Sequence, residues 1–276
     1  MRILVTNDDG INSIGLHVLA RALQPLGETI VAAPDKEYSG ASASVGPIPL
    51  TTEKHSFDIE GIGEAWAVEG PPALIVFLAG LGAFGEPFDI VVSGINPGAN
   101  VGNPVYLSGT VGAAVVARLN GATGIAISQD SVKGIVGKFS EHDENIQKWE
   151  TAAEVVVSIV SSLKENPLSR PGVLNVNVPN KETSEIKGWI QTEIADSYSV
   201  HRYVNVSPVE GKEGSYKLEM INGDRVDQLP KEIDIGAVTS DYVSVTWLDK
   251  IRPEKNSFGG SVESSLDALF PNISGG

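Results

Sequence analysis

Two adjacent carboxylates near the start of the chain are the residues best suited to carry chemistry. Asp8 and Asp9 follow a short apolar run and precede Gly10. Neighbouring carboxylates repel each other unless a cation or a shared proton lies between them, and hard divalent ions such as Mg²⁺ and Mn²⁺ prefer oxygen ligands. The pair therefore indicates a metal site, with a plain turn at Asp9-Gly10 and a helix cap at Asp8 as the structural alternative.

Two later loops offer more oxygen ligands. Ser39 lies in a hydroxyl-rich loop, 38–44, and Asn96 follows the apolar run 90–92. Ser39 by itself is more typical of a turn. Together with the two aspartates, however, these side chains form an all-oxygen set with two negative charges. Such a set suits a divalent ion that keeps positions open for water and phosphate.

A further loop is suited to an anion. Ser108, Gly109 and Thr110 come directly before a run from Val111 to Leu119 that predicts a helix. A helix N-terminus combines unpaired N–H groups with the positive end of the helix dipole. The sequence therefore predicts a phosphate-binding loop at this position.

These loops require a sheet that brings the ends of several strands together. The remaining segments alternate between the two patterns, with strands predicted at 3–5, 29–33, 65–68, 89–93, 124–128 and 174–178 and helices at 14–23, 73–80, 111–119 and 149–163. We predict an α/β fold with a three-layer, Rossmann-like, doubly wound and mostly parallel sheet. In such sheets ligands bind at the carboxyl ends of the strands.

The character of the sequence changes after about residue 185. Four segments predict strands or hairpin arms, namely 188–194, 198–206, 216–221 and 242–247. We therefore divide the chain into a Rossmann-like catalytic core, 1–185, and a C-terminal β-rich extension, 186–276, which we expect to be an oligomerisation arm and tail. The polar stretch 129–147 predicts a surface insertion, and 256–276 predicts a loosely held end.

Composition excludes several classes of protein. The 276 residues include no cysteine, so a disulfide framework and a thiolate metal site are impossible. A net charge of −15 argues against binding of polymeric nucleic acid. We find no secretory signal pattern and no run of 18 apolar residues, and we expect a cytoplasmic protein without a membrane partner.

Other hydrolase and phosphate-binding chemistries lack their motifs. No G-x-S-x-G turn surrounds Ser39, Ser93 or Ser108, which argues against a Ser-His-Asp hydrolase. The chain has no G-x-x-x-x-G-K-[ST] loop, and the pair Gly61 and Gly63 lacks the third glycine of a dinucleotide-binding loop.

Several motifs occur together in an order that is specific as a combination. They are Asn7-Asp8-Asp9-Gly10, Ser39-Gly40-Ala41-Ser42, Ser93-Gly94-Ile95-Asn96 and Ser108-Gly109-Thr110-Val111. With these motifs the sequence resembles the SurE family of nucleotidases over nearly the whole chain.

The resemblance implies a metal-dependent phosphomonoesterase that hydrolyses nucleoside 5′- and 3′-monophosphates to nucleoside and phosphate, in a homodimer or homotetramer. It implies that one Mg²⁺ or Mn²⁺ is bound by Asp8, Asp9, Ser39 and Asn96, with Asp8 and Asp9 also catalytic. It implies that phosphate is bound by Asn96, Asn100, Ser108, Gly109 and Thr110. A protein that binds a nucleotide or phosphometabolite without turnover is the alternative, and a partner-binding role for the extension is a third reading.

Overall fold

The computed structural model describes most of the chain. The described residues are 1–46, 50–56, 59, 62, 64–131, 147–196, 200–225, 229–249, 264–265 and 268–269. The strands within them are β1 Arg2–Thr6, β2 Glu28–Pro34, β3 Thr52–Lys54, β4 Glu64–Val68, β5 Ile90–Pro97, β6 Thr123–Gln129, β7 Val173–Val178, β8 Trp189–Gln191, β9 Val200–Pro208, β10 Tyr216–Arg225 and β11 Val243–Trp247. The α-helices are α1 Ile14–Leu23, α2 Pro72–Gly80, α3 Gly109–Leu119, α4 Trp149–Glu165 and α5 Asp234–Thr239.

Nine of these strands form one mixed sheet in the order β3-β4-β2-β1-β5-β6-β7-β11-β8. The pairs from β4 through β7 are all parallel. The pairs β3-β4 and β7-β11 are antiparallel. The predicted α/β fold with a doubly wound, mostly parallel sheet is confirmed.

Helices cover both faces of this sheet. On one face α1 and α4 pack over Ile3 and Val5 of β1, whereas on the other α2 and α3 pack over Leu4 of the same strand. Because both faces are covered, residues 3–5 of β1 form an uninterrupted apolar run rather than an alternating pattern. Most residues of α2 are buried, which agrees with a helix that is apolar on all sides.

The C-terminal part is rich in strands, as expected, but these strands belong to two different sheets. β11 and β8 continue the main sheet beyond β7. β9 and β10 instead form a separate antiparallel hairpin. The division at residue 185 stays a prediction, and among the described strands only the hairpin stands outside the core sheet.

Two other expectations concern segments that are mostly outside the described residues. Of the predicted insertion 129–147, residues 132–146 are outside, and Gln129 belongs to β6. Of the segment 256–276, only 264–265 and 268–269 are described. None of the helices in the described residues is long and apolar enough to cross a membrane.

Candidate active site

β1 is the strand at which the order of the sheet reverses. From β1 the chain moves outward through β2 to β4 and then returns to form β5 on the other side of β1. Such a reversal leaves a crevice at the carboxyl ends of the strands. Thr6 at the end of β1 pairs with Ser93 of β5, so the acidic turn and the loop after β5 start beside each other.

The Asp8 carboxylate is held against the N-terminus of α3. Asp8 is 4 % exposed, and its Oδ1 accepts a hydrogen bond of 2.6 Å from the Thr110 hydroxyl. Gly109 lies so close that a Cβ there would be 2.8 Å from Asp8 Oδ2. A glycine at this position therefore lets the carboxylate reach the start of the helix.

Burial and hydrogen bonding act on this carboxylate in opposite directions. Burial raises the pKa of Asp8 above its ordinary value, because the charged form loses water. The Thr110 hydroxyl and the backbone N–H groups of Gly109 and Thr110 lower the pKa by donating to the charged form. Within the described residues no cation pairs with Asp8.

Asn7 shapes the turn that carries the two aspartates. Its side chain is fully buried, accepts a hydrogen bond from the Gly10 N–H at 3.2 Å and donates to the Gly10 carbonyl at 3.1 Å. It also donates to the Ser13 hydroxyl at 2.6 Å, and Ser13 caps α1. The Asn7 side chain therefore fixes the turn on which Asp9 lies. Asp9 is less buried than Asp8.

The predicted phosphate-binding loop, 108–110, lies at a helix N-terminus, and this helix begins earlier than predicted. α3 begins at Gly109 instead of Val111, and Ser108 is its N-cap, with Oγ accepting from the Val111 N–H at 3.1 Å. The Ser108 hydroxyl can still donate its own proton to a ligand. The Thr110 hydroxyl, in contrast, already donates to Asp8.

The loop 38–44 is hydrogen-bonded both to the acidic turn and to the segment that precedes α3. The Tyr38 N–H donates to the Asp8 carbonyl at 2.8 Å. Ser42 donates from its N–H to the Leu107 carbonyl at 3.1 Å and from its hydroxyl to the Tyr106 carbonyl at 2.8 Å. Ser39 is exposed and donates to Glu37 at 2.7 Å, which leaves the lone pairs of its oxygen available.

Asn96 lies at the end of β5, beyond a shift in the pairing register between Ser93 and Asn96. Its Nδ2 donates to the Gly98 carbonyl at 2.6 Å. The side chain is half-buried. Since the amide nitrogen is engaged, the Oδ1 atom is the group that Asn96 can offer to a cation.

Asn100 faces a different set of partners. Its Nδ2 donates to the Ser128 hydroxyl at 2.9 Å, and its backbone N–H donates to Asn177 Oδ1 at 2.7 Å. Its carbonyl accepts from the side chains of Asn175 and Asn177 at 2.8 and 3.2 Å. These contacts fix the loop after β5 on β6 and β7.

The side chains predicted as metal ligands have the chemistry that suits a hard divalent ion. Asp8 and Asp9 have carboxylate oxygens, and the predicted ligands Asn96 and Ser39 have neutral ones, which are the ligand types that Mg²⁺ and Mn²⁺ select. Within the described residues no cluster holds three or more His, Asp or Glu side chains suited to a metal. A metal site here would therefore depend on two carboxylates completed by neutral oxygens and water.

Sequence reasoning missed the asparagines that support these loops. Asn175 and Asn177 are fully buried on β7, although their alternation with apolar residues is typical of a strand with one face in water. Asparagine is disfavoured in strands, and two of them in one short strand are the signal that could have marked a buried polar contact.

Comparison with known proteins identifies the family. The family model described as "Survival protein SurE" matches residues 3–201. The 5′-nucleotidase SurE of Legionella pneumophila is 40 % identical over 212 residues, 77 % of each chain. The protein of the same name from Dehalococcoides mccartyi is 35 % identical over 250 residues, 90 % of this chain and 88 % of that one.

A solved structure extends the likeness to the fold. The crystal structure of the SurE protein from Aquifex aeolicus superposes with a TM-score of 0.72 at 29 % identity, covering 98 % of this chain and all of that one. The family match spans more than half of the chain and takes in all of the loops described above. The chain therefore belongs to the SurE family.

Proposed function

We propose that this protein is a metal-dependent nucleotidase that hydrolyses nucleoside 5′-monophosphates, and 3′-monophosphates as well, to nucleoside and phosphate. Relatives that bear the name 5′-nucleotidase at 35 to 40 % identity support a nucleotidase enzyme. The metal dependence, with Mg²⁺ or Mn²⁺, and the 3′ activity are our own extension.

One observation carries the proposal. A buried carboxylate that has hydrogen-bond donors but, in the described part of the chain, no cationic partner lies against the N-terminus of α3. A buried charge without a counter-ion is costly, and the same end of the helix favours a phosphate group. A site that brings a divalent ion and a phosphomonoester together satisfies both features.

The side chains divide the work between metal, phosphate and water. Asp8 and Asp9 would hold the ion, with Asn96 and Ser39 completing the oxygen set. A bound ion would supply a Lewis acid for a phosphate oxygen and increase the acidity of a bound water. Ser108 donates its hydroxyl proton to phosphate, and one of the two carboxylates accepts the proton of the attacking water.

Three further residues act indirectly, by positioning other groups: Thr110, Gly109 and Asn100. Thr110 orients Asp8 and favours its ionised form. Gly109 permits the close approach of Asp8 to the helix, and the N-terminal end of the helix dipole stabilises negative charge on carboxylate and phosphate alike. Asn100 fixes the loop after β5, since its polar groups bind Ser128 and Asn177.

The oligomeric state and the cellular location of the enzyme are also proposals. The β9-β10 hairpin exposes a group of large apolar side chains: Tyr203, Val204, Val206, Tyr216, Leu218 and Met220. Such an exposed apolar surface supports packing against another copy, in a homodimer or homotetramer, and light scattering of the purified protein measures the mass. We propose a cytoplasmic location, which fractionation of cells would test.

Phosphate release from a panel of nucleoside 5′- and 3′-monophosphates tests the proposal, with p-nitrophenyl phosphate as a general phosphomonoester. Each substrate is assayed after chelation and after addition of Mg²⁺ or Mn²⁺. We expect turnover that depends on the added ion. Tight nucleotide binding without any phosphate release would favour the alternative, a binding protein without turnover.

A further inference from the structure

The loop after β5 is anchored at every second residue. The Gly98 N–H donates to the carbonyl of Gln129 on β6 at 2.7 Å. The Asn100 N–H donates to the side chain of Asn177 on β7 at 2.7 Å. The third anchor comes from far along the chain, since the Gly102 N–H donates to Oδ2 of Asp234, at the start of α5, at 2.7 Å.

Asp234 uses both of its oxygens. Among the described residues, Oδ2 accepts from Gly102 alone, whereas Oδ1 accepts from the N–H groups of Ala195 at 3.1 Å and Ile235 at 2.7 Å. The side chain is fully buried, and in the described part of the chain it forms no ion pair. Burial raises the pKa of Asp234, and the three backbone donors oppose this shift. The carboxylate thus connects three backbone segments, those at Gly102, Ala195 and Ile235.

The geometry at Gly102 gives this contact a specific role. Gly102 has φ 62° and ψ −150°, a backbone conformation that is essentially restricted to glycine. This conformation points its N–H toward Asp234. Beside it, Val101 is buried in a small apolar cluster with Ala195, Ile235 and Val238, so the loop also packs on the C-terminal segment.

We infer that Asp234 is a positioning residue for the active site, which holds the loop 96–102 in place through the Gly102 N–H. This inference rests on the proposed function, because Asn96 at the start of the loop is a proposed metal ligand. Part of the C-terminal segment would then support the catalytic site through this loop, in addition to any role in assembly.

An asparagine at position 234 separates the two sides of this contact. Asn has one acceptor oxygen, which satisfies two donors when it faces Ala195 and Ile235. Its NH₂ group then faces the Gly102 N–H, and two donors cannot bond. Asp234→Asn should therefore release the loop while α5 keeps its bonds. Gly102→Ala breaks the same contact from the other end, because alanine does not readily adopt this backbone conformation.

The first readout does not depend on activity. Amide hydrogen exchange at residue resolution, on the metal-free protein, should show the Gly102 N–H exchanging at least about tenfold faster in Asp234→Asn, as expected for loss of a hydrogen bond to a charged group. The matched control is Asp241→Asn, the same chemical change at a surface aspartate paired with Lys181 and Lys187. The control should leave Gly102 protected.

The second readout is kinetic. In Asp234→Asn the Mn²⁺ concentration for half-maximal activity should rise by about tenfold, while kcat at saturating Mn²⁺ changes much less, because the ligands are intact and only their placement is loosened. Gly102→Ala should behave alike, and the double variant should be no worse than either single one, since both remove one contact.

Three results would overturn the inference. Unchanged Gly102 exchange in Asp234→Asn would remove the contact itself. Faster exchange with unchanged Mn²⁺ dependence would leave Asp234 a purely structural residue. Additive effects of the two substitutions would show that they do not share a contact. If the unmodified protein released no phosphate from any substrate, the proposed function would fail, and the exchange experiment would still decide the contact.

Discussion

Replacing Thr110 by valine is the perturbation whose effect follows most directly from the geometry. Valine has nearly the same shape as threonine, so the change removes the hydroxyl that donates to Asp8 Oδ1 at 2.6 Å and little else. Both residues are buried, so water does not readily replace the lost donor. The ionised form of Asp8 loses its strongest side-chain partner.

The magnitude follows from the kind of hydrogen bond that is lost. A bond to a charged group contributes about 1.5–3 kcal/mol, which corresponds to roughly ten- to a hundredfold in an equilibrium constant. Metal binding requires the ionised carboxylate, so the Mn²⁺ affinity of Thr110→Val should fall by about this factor.

The pH dependence has a defined sign. Burial already raises the pKa of Asp8 above its ordinary 3.8, and removing a donor to the charged form raises it further. In the metal-free protein, the stability associated with Asp8 is therefore fully present below pH 3.8 and is lost as the pH rises through the folded-state pKa. In the assay, the acidic limb of the activity profile should move to higher pH.

The experiment is a pH–rate profile of phosphomonoester hydrolysis at several Mn²⁺ concentrations. Thr110→Ser keeps a hydroxyl at the same position and is the control, which should retain most of the Mn²⁺ affinity. A valine variant with the unmodified Mn²⁺ dependence and the same acidic limb would refute the role assigned to the Thr110 hydroxyl.

Two further predictions concern neighbouring groups. Gly109→Ala should lower kcat/KM by about tenfold or more, because a Cβ there would be 2.8 Å from Asp8 Oδ2. Steady-state kinetics at saturating metal checks this, and an unaltered kcat/KM would contradict it. Asp241→Asn should destabilise the protein by about 1 kcal/mol or less at neutral pH, since Lys181 and Lys187 lower the pKa of Asp241. This stabilisation is present above pH 3.8 and is lost as the pH falls through the lowered pKa, so urea unfolding at decreasing pH should show the two proteins converging; a constant difference would contradict the assignment.

The order of the elements and the fold could be predicted because they depend on local patterns. Apolar runs such as 90–92 and the periodicity of the helices define the order of elements, and this order implies a parallel sheet with ligands at one edge. Asp8 and Thr110 were both predicted as site residues, and the structure places them in contact.

The supporting contacts could not be predicted because they join distant positions. Asn100 and Asn177 are 77 positions apart, and Gly102 and Asp234 are 132 apart. No periodicity connects such pairs, and a short turn residue or a single acid in a loop has many local explanations. The direct bond from Thr110 to Asp8 likewise depends on packing that only the folded sheet creates.

Strand patterns also leave the surroundings of a strand open. Ser244 and Thr246 alternate with apolar residues on β11, a pattern typical of a strand with one face in water. Both are buried, and each shares a hydrogen bond of 2.8 Å with the Thr192 hydroxyl. The polar side chains satisfy each other within the sheet, which the sequence alone does not reveal.

We propose that the Asp8 carboxylate works with a divalent ion to cleave a nucleoside monophosphate. The most direct measurement is phosphate release from such a substrate with saturating Mn²⁺, for the unmodified protein, Asp8→Asn and the surface control Asp241→Asn. We predict at least about a thousandfold loss, roughly 4 kcal/mol of transition-state stabilisation, in Asp8→Asn alone. A comparable rate in the unmodified protein and in a folded Asp8→Asn variant would contradict the claim.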